Sequence, residues 1–96
     1  TALRFLVHDG EDVGALWVRT RGPKGTGGFV CDIEVVPAHR GRGHGRTLML
    51  VAERECLAAG TDRIGLSVFA DNIPALRLYE SLGYEATESR FYKPLL

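Results

Sequence analysis

An α+β domain built on one mixed, mostly antiparallel sheet is the fold class that this sequence of 96 residues predicts. Three observations carry it. Apolar or alternating runs fill the first 36 positions, separated by Gly, Pro and Asp. Two later stretches change to helical spacing, and a glycine closes each. A strand-like run separates those stretches and another follows the second, so the predicted order is β-β-β-α-β-α-β. The length suits a single small domain over residues 1–96.

Leu3 to Val7 is the first strand, and HDGED supplies turn chemistry after it. Val13 to Thr20 is the second, followed by the Gly/Pro loop RGPKGTGG at 21–28. Phe29 to Val36 is the third. Its alternation places Phe29, Cys31, Ile33 and Val35 on one face and Val30, Asp32, Glu34 and Val36 on the other. Pro37 ends it. From Arg46 to Ala59 the spacing is helical, with Leu48, Ala52, Cys56 and Ala59 on one stripe, Val51 beside it, and Gly60 just past the end. Ile64 to Phe69 is a fourth strand. Asn72 is a suitable N-cap for the second helix, and Pro74 falls in its first turn, where a missing N–H costs little. Ala75, Leu78, Tyr79 and Leu82 form its buried stripe before Gly83, and Tyr84 to Lys93 is the last strand. The first three strands predict an antiparallel meander. The crossover from the third strand to the fourth predicts a parallel pair.

Composition narrows the function. Hydrophobic residues make up 45% and charged residues 25%, as in a folded globular chain. Twelve Lys and Arg balance twelve Asp and Glu, so a basic stretch is a local feature and not a general polyanion surface. No apolar run approaches the roughly 20 residues of a membrane helix, and the first ten residues lack a signal-peptide core. Cys31 and Cys56 have no CxxC spacing, and both are expected to be reduced core residues, in agreement with a cytoplasmic location. His8 and His39 are expected at the surface, and no metal site is visible.

The stretch HRGRGHGRT, residues 39–47, lies between a strand and a helix. Backbone amides are unpaired there and the helix dipole is positive. Glycines at 41, 43 and 45 permit sharp turns and remove the Cβ atoms that would hold an anion away. The spacing matches neither a P-loop nor the dinucleotide-binding fingerprint. Taken alone, the stretch fits a pyrophosphate pocket or a solvated loop.

Its neighbours add a resemblance. Arg40-Gly41-Arg42-Gly43-His44-Gly45 resembles the R/Q-x-x-G-x-G/A motif of the GNAT superfamily of acyl-CoA-dependent N-acyltransferases, and Val35-Val36-Pro37 is similar to the end of its central strand. The segment from Asn72 to Tyr84 resembles the N-x-x-A-x-x-x-Y-x-x-x-G-[FY] block of a later helix in that family, and Tyr92-Lys93-Pro94-Leu95 its C-terminus. The two main motifs occur in order, and the resemblance runs along the whole chain. It implies a GNAT-like fold lacking the N-terminal strand and two helices, that is, the acyl-CoA-binding part of such a domain.

The resemblance also implies roles. Backbone amides from Arg40 to Arg46 would hold the pyrophosphate of acetyl-CoA, with Arg40, Arg42 and Arg46 adding positive potential. Val35 and Val36 would border the pantetheine arm, and Asn72 would add a polar contact beside its capping role. Glu34 is the expected general base, tuned by partial burial, with Asp32 as the alternative. Tyr79 is the expected general acid at the leaving sulfur. The implied activity is transfer of an acetyl group to a primary amine of a small molecule or peptide by direct attack, with no metal and no part for the cysteines. A non-catalytic acetyl-CoA-binding module is the alternative. Nucleic-acid binding through residues 39–46 lacks interleaved aromatics and a positive domain. An open sheet edge and apolar face predict self-association, or packing with a missing N-terminal segment.

Overall fold

The computed structural model of the chain describes residues 1–22, 27–68, 72–87 and 90–96. It contains strands β1 (Ala2–His8), β2 (Glu11–Arg19) and β3 (Gly28–Val35), helix α1 (His44–Ala58), β4 (Arg63–Ser67), helix α2 (Ile73–Ser81), β5 (Glu85–Thr87) and β6 (Arg90–Pro94). The strands form one sheet in the order β1-β2-β3-β4-β6-β5. β3 and β4 are parallel and every other pair is antiparallel. This is the predicted mixed α+β architecture, with the strand–helix–strand crossover joining the one parallel pair.

α1 covers one face of the sheet, packing on β2 and β3. Leu16, Val18 and Val30 meet Leu48, Met49, Ala52 and Cys56 there, and all seven are buried. Opposite partners in an antiparallel ladder share a face, so the register assigns the rest. Leu3, Phe5, Ala15, Trp17, Asp32 and Glu34 lie on the face away from α1. Phe5 is 66% exposed and Trp17 48% exposed, so this second face is open.

The face assignment of β3 corrects the predicted one. Trp17 pairs with Asp32 but Val18 pairs with Val30, so Cys31 is an extra residue in a β-bulge. The bulge inverts the alternation at its own position. Val30 shares the core face with Ile33 and Val35, while Phe29 joins Asp32 and Glu34 on the open one. Simple period-2 counting holds for Asp32 to Val35 and misassigns Phe29 and Val30. It also misplaces Cys31, which is exposed, whereas Cys56 is buried.

Both helices end in the same way. Thr61 N–H donates to the Cys56 carbonyl (2.9 Å) and Gly60 N–H to that of Leu57 (3.0 Å). Tyr84 N–H donates to Tyr79 (3.0 Å) and Gly83 N–H to Glu80 (3.0 Å). These are Schellman closures, with Gly60 and Gly83 at φ +80° and +93°. α1 begins at His44, ahead of the predicted Arg46.

The C-terminal region departs from expectation. The predicted strand from Tyr84 to Lys93 is two strands, β5 and β6, paired with each other. β6 then has neighbours on both sides, and the edge strand at that end of the sheet is β5, only three residues long, with β1 at the other end. The predicted fourth strand ends at Ser67, and Phe69 lies outside the described residues, as does the centre of the 21–28 loop.

Close approach of α1 to β3 depends on Gly28. A Cβ there would lie 2.4 Å from the Cys56 Sγ and 3.1 Å from the Arg19 carbonyl. Gly28→Ala is therefore expected to cost about 2 kcal/mol and to lower Tm by roughly 10 °C. The loss should shrink in a Cys56→Ala background, which thermal unfolding of the two single variants and the double variant checks.

Candidate active site

The parallel ladder is short. β3 and β4 pair only from Gly28↔Ile64 to Val30↔Leu66, whereas β3 continues to Val35. Beyond Val30 the β4-side edge of β3 is therefore open, and a cleft of about 980 Å³ extends from it to the N-termini of both helices.

The head of the cleft is the glycine-rich turn. After a single 3-10 turn at Pro37–His39, the chain passes through Gly41 at φ +77° and Gly43 at φ +83° into α1. Such dihedrals favour glycine. The first α1 amide with a helical acceptor is that of Thr47, which donates to the Gly43 carbonyl (3.1 Å). Among the described residues the amides of 41–46 have no acceptor. A Cβ at Gly41 or Gly43 would meet nothing within 4 Å. Six unsatisfied donors at a helix N-terminus, with open space beside Gly41 and Gly43, suit a phosphate group.

Gly45 has a different use. Its Cβ would lie 3.3 Å from Leu78 Cδ2, so this glycine eases the approach of the first turn of α1 to the Leu78 side chain of α2.

The three arginines diverge. Arg40 lines the cleft, and its Nε donates to the Val35 carbonyl (3.1 Å) on the open strand edge. Arg46 also lines the cleft and donates from Nη2 to Ser81 Oγ on α2 (2.7 Å). Arg42 does not line it; its Nη1 is 3.5 Å from His39 Nδ1. His44 lines the cleft with its ring 5.3 Å from that of His8, and its Nε2 is buried with no partner. Among the described residues, no group of His, Cys, Asp and Glu is arranged to hold a metal ion.

Val35, Val36, Asn72, Glu34 and Tyr79 all border the same cleft. The Asn72 Oδ1 accepts from the Ala75 amide (3.4 Å), the capping role expected from the sequence. Tyr79 is 5% exposed, and burial pushes its phenol above the ordinary value of 10.0, so it holds its proton at neutral pH. Glu34 is exposed, and the partial burial expected for it is absent. Asp32 lies instead on a smaller hollow of about 200 Å³ between β3 and β4, where Tyr79 is also found.

Sequence reasoning missed Phe5 and Asp12, which line the cleft from β1 and β2. Neither belongs to a local motif. Register alone brings them there, through Phe5↔Ala15 and Ala15↔Glu34 on the open face. The cleft lining thus combines arginines and free amides with the Asp12 and Glu34 carboxylates.

Comparison with known proteins adds to this geometry. The family model described as acetyltransferase (GNAT) family matches residues 2–84. A mycothiol acetyltransferase of Corynebacterium glutamicum is 38% identical over 86 residues, covering 88% of this chain and 29% of that protein. An acetyltransferase of Sodalis glossinidius is 34% identical over 87 residues, covering 88% of the chain and 59% of its own length. Among solved structures, a putative acetyltransferase of Salmonella typhimurium with acetyl-CoA superposes with a TM-score of 0.86 at 20% identity, over 98% of this chain and 64% of that one. A nourseothricin acetyltransferase is 28% identical with a TM-score of 0.74, over 92% of this chain and 61% of that one. The chain therefore spans 25–29% of the length of the first curated relatives and under two thirds of these solved chains.

Proposed function

This chain belongs to the GNAT acetyltransferase family, and from that premise we propose that it is the acetyl-CoA-binding part of an N-acetyltransferase that acylates a primary amine on a small molecule or peptide. The observation that carries this reading is the run of unpartnered amides at 41–46, five of whose six residues (all but Arg42) line the same cleft as Glu34 and Tyr79.

In this reading the amides and the Arg40 and Arg46 side chains hold the pyrophosphate. Val35 and Val36 border the pantetheine arm along the open β3 edge, and Asn72 adds a polar contact. Bound acetyl-CoA supplies an activated thioester. Glu34 takes a proton from the attacking ammonium, directly or through water, and Tyr79 presents its hydroxyl to the leaving sulfur. The position of Glu34 on the cleft wall supports it over Asp32, which lines the smaller hollow. The Asp12 and Glu34 carboxylates in the cleft lining suit a cationic acceptor. No helix among the described residues is long and apolar enough to cross a membrane, and the proposed setting is the cytoplasm.

The exposed Leu3, Phe5, Val7 and Trp17 leave an apolar face to be covered. We place further polypeptide or a second copy on it, and weak turnover of this chain alone follows, because that face borders the acceptor side of the cleft.

One set of measurements tests the reading. Calorimetry on this chain should detect acetyl-CoA and free CoA binding, and sedimentation should detect association beyond a monomer. Absence of CoA binding by the folded chain rejects the function. Binding without transfer to any amine, in a polypeptide whose open face is covered, favours the non-catalytic module. A dilute monomer with full turnover rejects the association.

A further inference from the structure

The Tyr79 hydroxyl has no hydrogen-bond partner among the described residues, so packing alone sets where it sits. That packing has a specific origin. Tyr79 and Tyr84 occupy the two positions that a Schellman closure brings together, joined by the Tyr84 N–H to Tyr79 carbonyl bond (3.0 Å). Their rings meet edge to face with centroids 6.1 Å apart, and Phe91 on β6 supports Tyr79 at 5.9 Å.

Tyr84 is anchored in turn. Its hydroxyl donates to Glu53 Oε2 on α1 (2.9 Å), and Lys93 Nζ on β6 donates to Glu53 Oε1 (3.1 Å). Lys93 also donates to the Leu82 carbonyl at the end of α2 (2.5 Å) and lies 5.5 Å from the Tyr84 ring centroid. The Glu53 and Lys93 side chains are 12% and 24% exposed. Three elements thus converge on the residue that backs Tyr79, and none of Glu53, Tyr84 and Lys93 lines the cleft.

We propose that Glu53, Tyr84 and Lys93 form a positioning group that fixes the Tyr79 phenol against the cleft. Its catalytic consequence rests on the reading of Tyr79 as the general acid. The three residues touch no reacting atom. They act through the ring contact and the closing turn of α2, and a purely apolar core would hold that contact with less directional constraint.

Tyr84→Phe keeps the ring and removes the anchoring hydroxyl, so it is the variant of choice, with Glu53→Gln as a second. The readouts are steady-state kinetics, Tm, and NMR of chains carrying ring-13C tyrosine. With three tyrosines in the sequence, loss of one signal in Tyr79→Phe identifies Tyr79. In Tyr84→Phe the Tyr79 signal should shift or broaden, and kcat should fall roughly fivefold to tenfold with KM for acetyl-CoA unchanged. Adding Glu53→Gln to Tyr84→Phe should produce little further loss, because both act through one bond. A lower Tm with kcat and the Tyr79 signal unchanged would overturn the proposal, leaving only a structural role. A displaced Tyr79 signal together with wild-type kcat in Tyr79→Phe supports the positioning and removes the acid role instead. If turnover of the chain is too low to measure, the NMR signal decides: an unmoved Tyr79 resonance overturns the proposal and a displaced one supports it.

Discussion

Gly43→Glu is expected to abolish coenzyme A binding while leaving the fold intact. The side chain would start from a backbone at φ +83° and point into space with no atom within 4 Å. Conformational strain from a non-glycine residue costs on the order of 1–2 kcal/mol, which a folded domain can absorb. The larger effect is electrostatic. A carboxylate would stand at the head of α1, where the dipole and six free amides otherwise favour a phosphate. It satisfies some of those donors and repels the incoming dianion. Calorimetry should show at least a hundredfold loss, with circular dichroism and thermal unfolding close to wild type. Gly43→Ala separates the contributions, since it carries the backbone strain without the charge. A Glu variant that binds CoA as tightly as wild type would place the pyrophosphate elsewhere.

Glu34→Gln should lower kcat on the order of 10²-fold with little change in acetyl-CoA affinity, the signature of a lost general base. Its side chain lies on the open face, past the bulge, on the wall of the cleft that holds Asp12 and Phe5. The amide keeps the shape and removes the basic oxygen, so a change in kcat cannot be assigned to repacking. Asp32→Asn is the control, because Asp32 shares the face but borders the smaller hollow. Wild-type kcat in Glu34→Gln with a large loss in Asp32→Asn would exchange their roles. Either outcome is read from initial rates at saturating acetyl-CoA.

Features encoded over a few neighbouring residues were legible before any coordinates. Gly60 and Gly83 close their helices because a positive φ at C′ suits glycine. Asn72 caps α2 because a short side-chain oxygen reaches an unpaired amide of the first turn. The unpaired amides at the head of α1 follow from the glycines, the strand before them and the helix after them being contiguous. Parallel pairing of β3 with β4 follows from the handedness of the crossover.

Tertiary structure decided whatever depends on residues far apart in the chain. The Cys31 bulge is a property of the pairing with β2, and it reversed the faces read from β3 alone. The division of the last strand into β5 and β6 follows from strand pairing, with β4 on one side of β6 and β5 on the other. Gly28 and Gly45 look like flexible loop glycines in the sequence, yet each is required where a helix approaches a neighbour. Asp12 enters the cleft through register, and Glu53 reaches Tyr84 across 31 residues. Capping and turn preferences are local energies that a short segment expresses by itself. Bulges, close approaches and buried polar links exist only once a partner surface is in place.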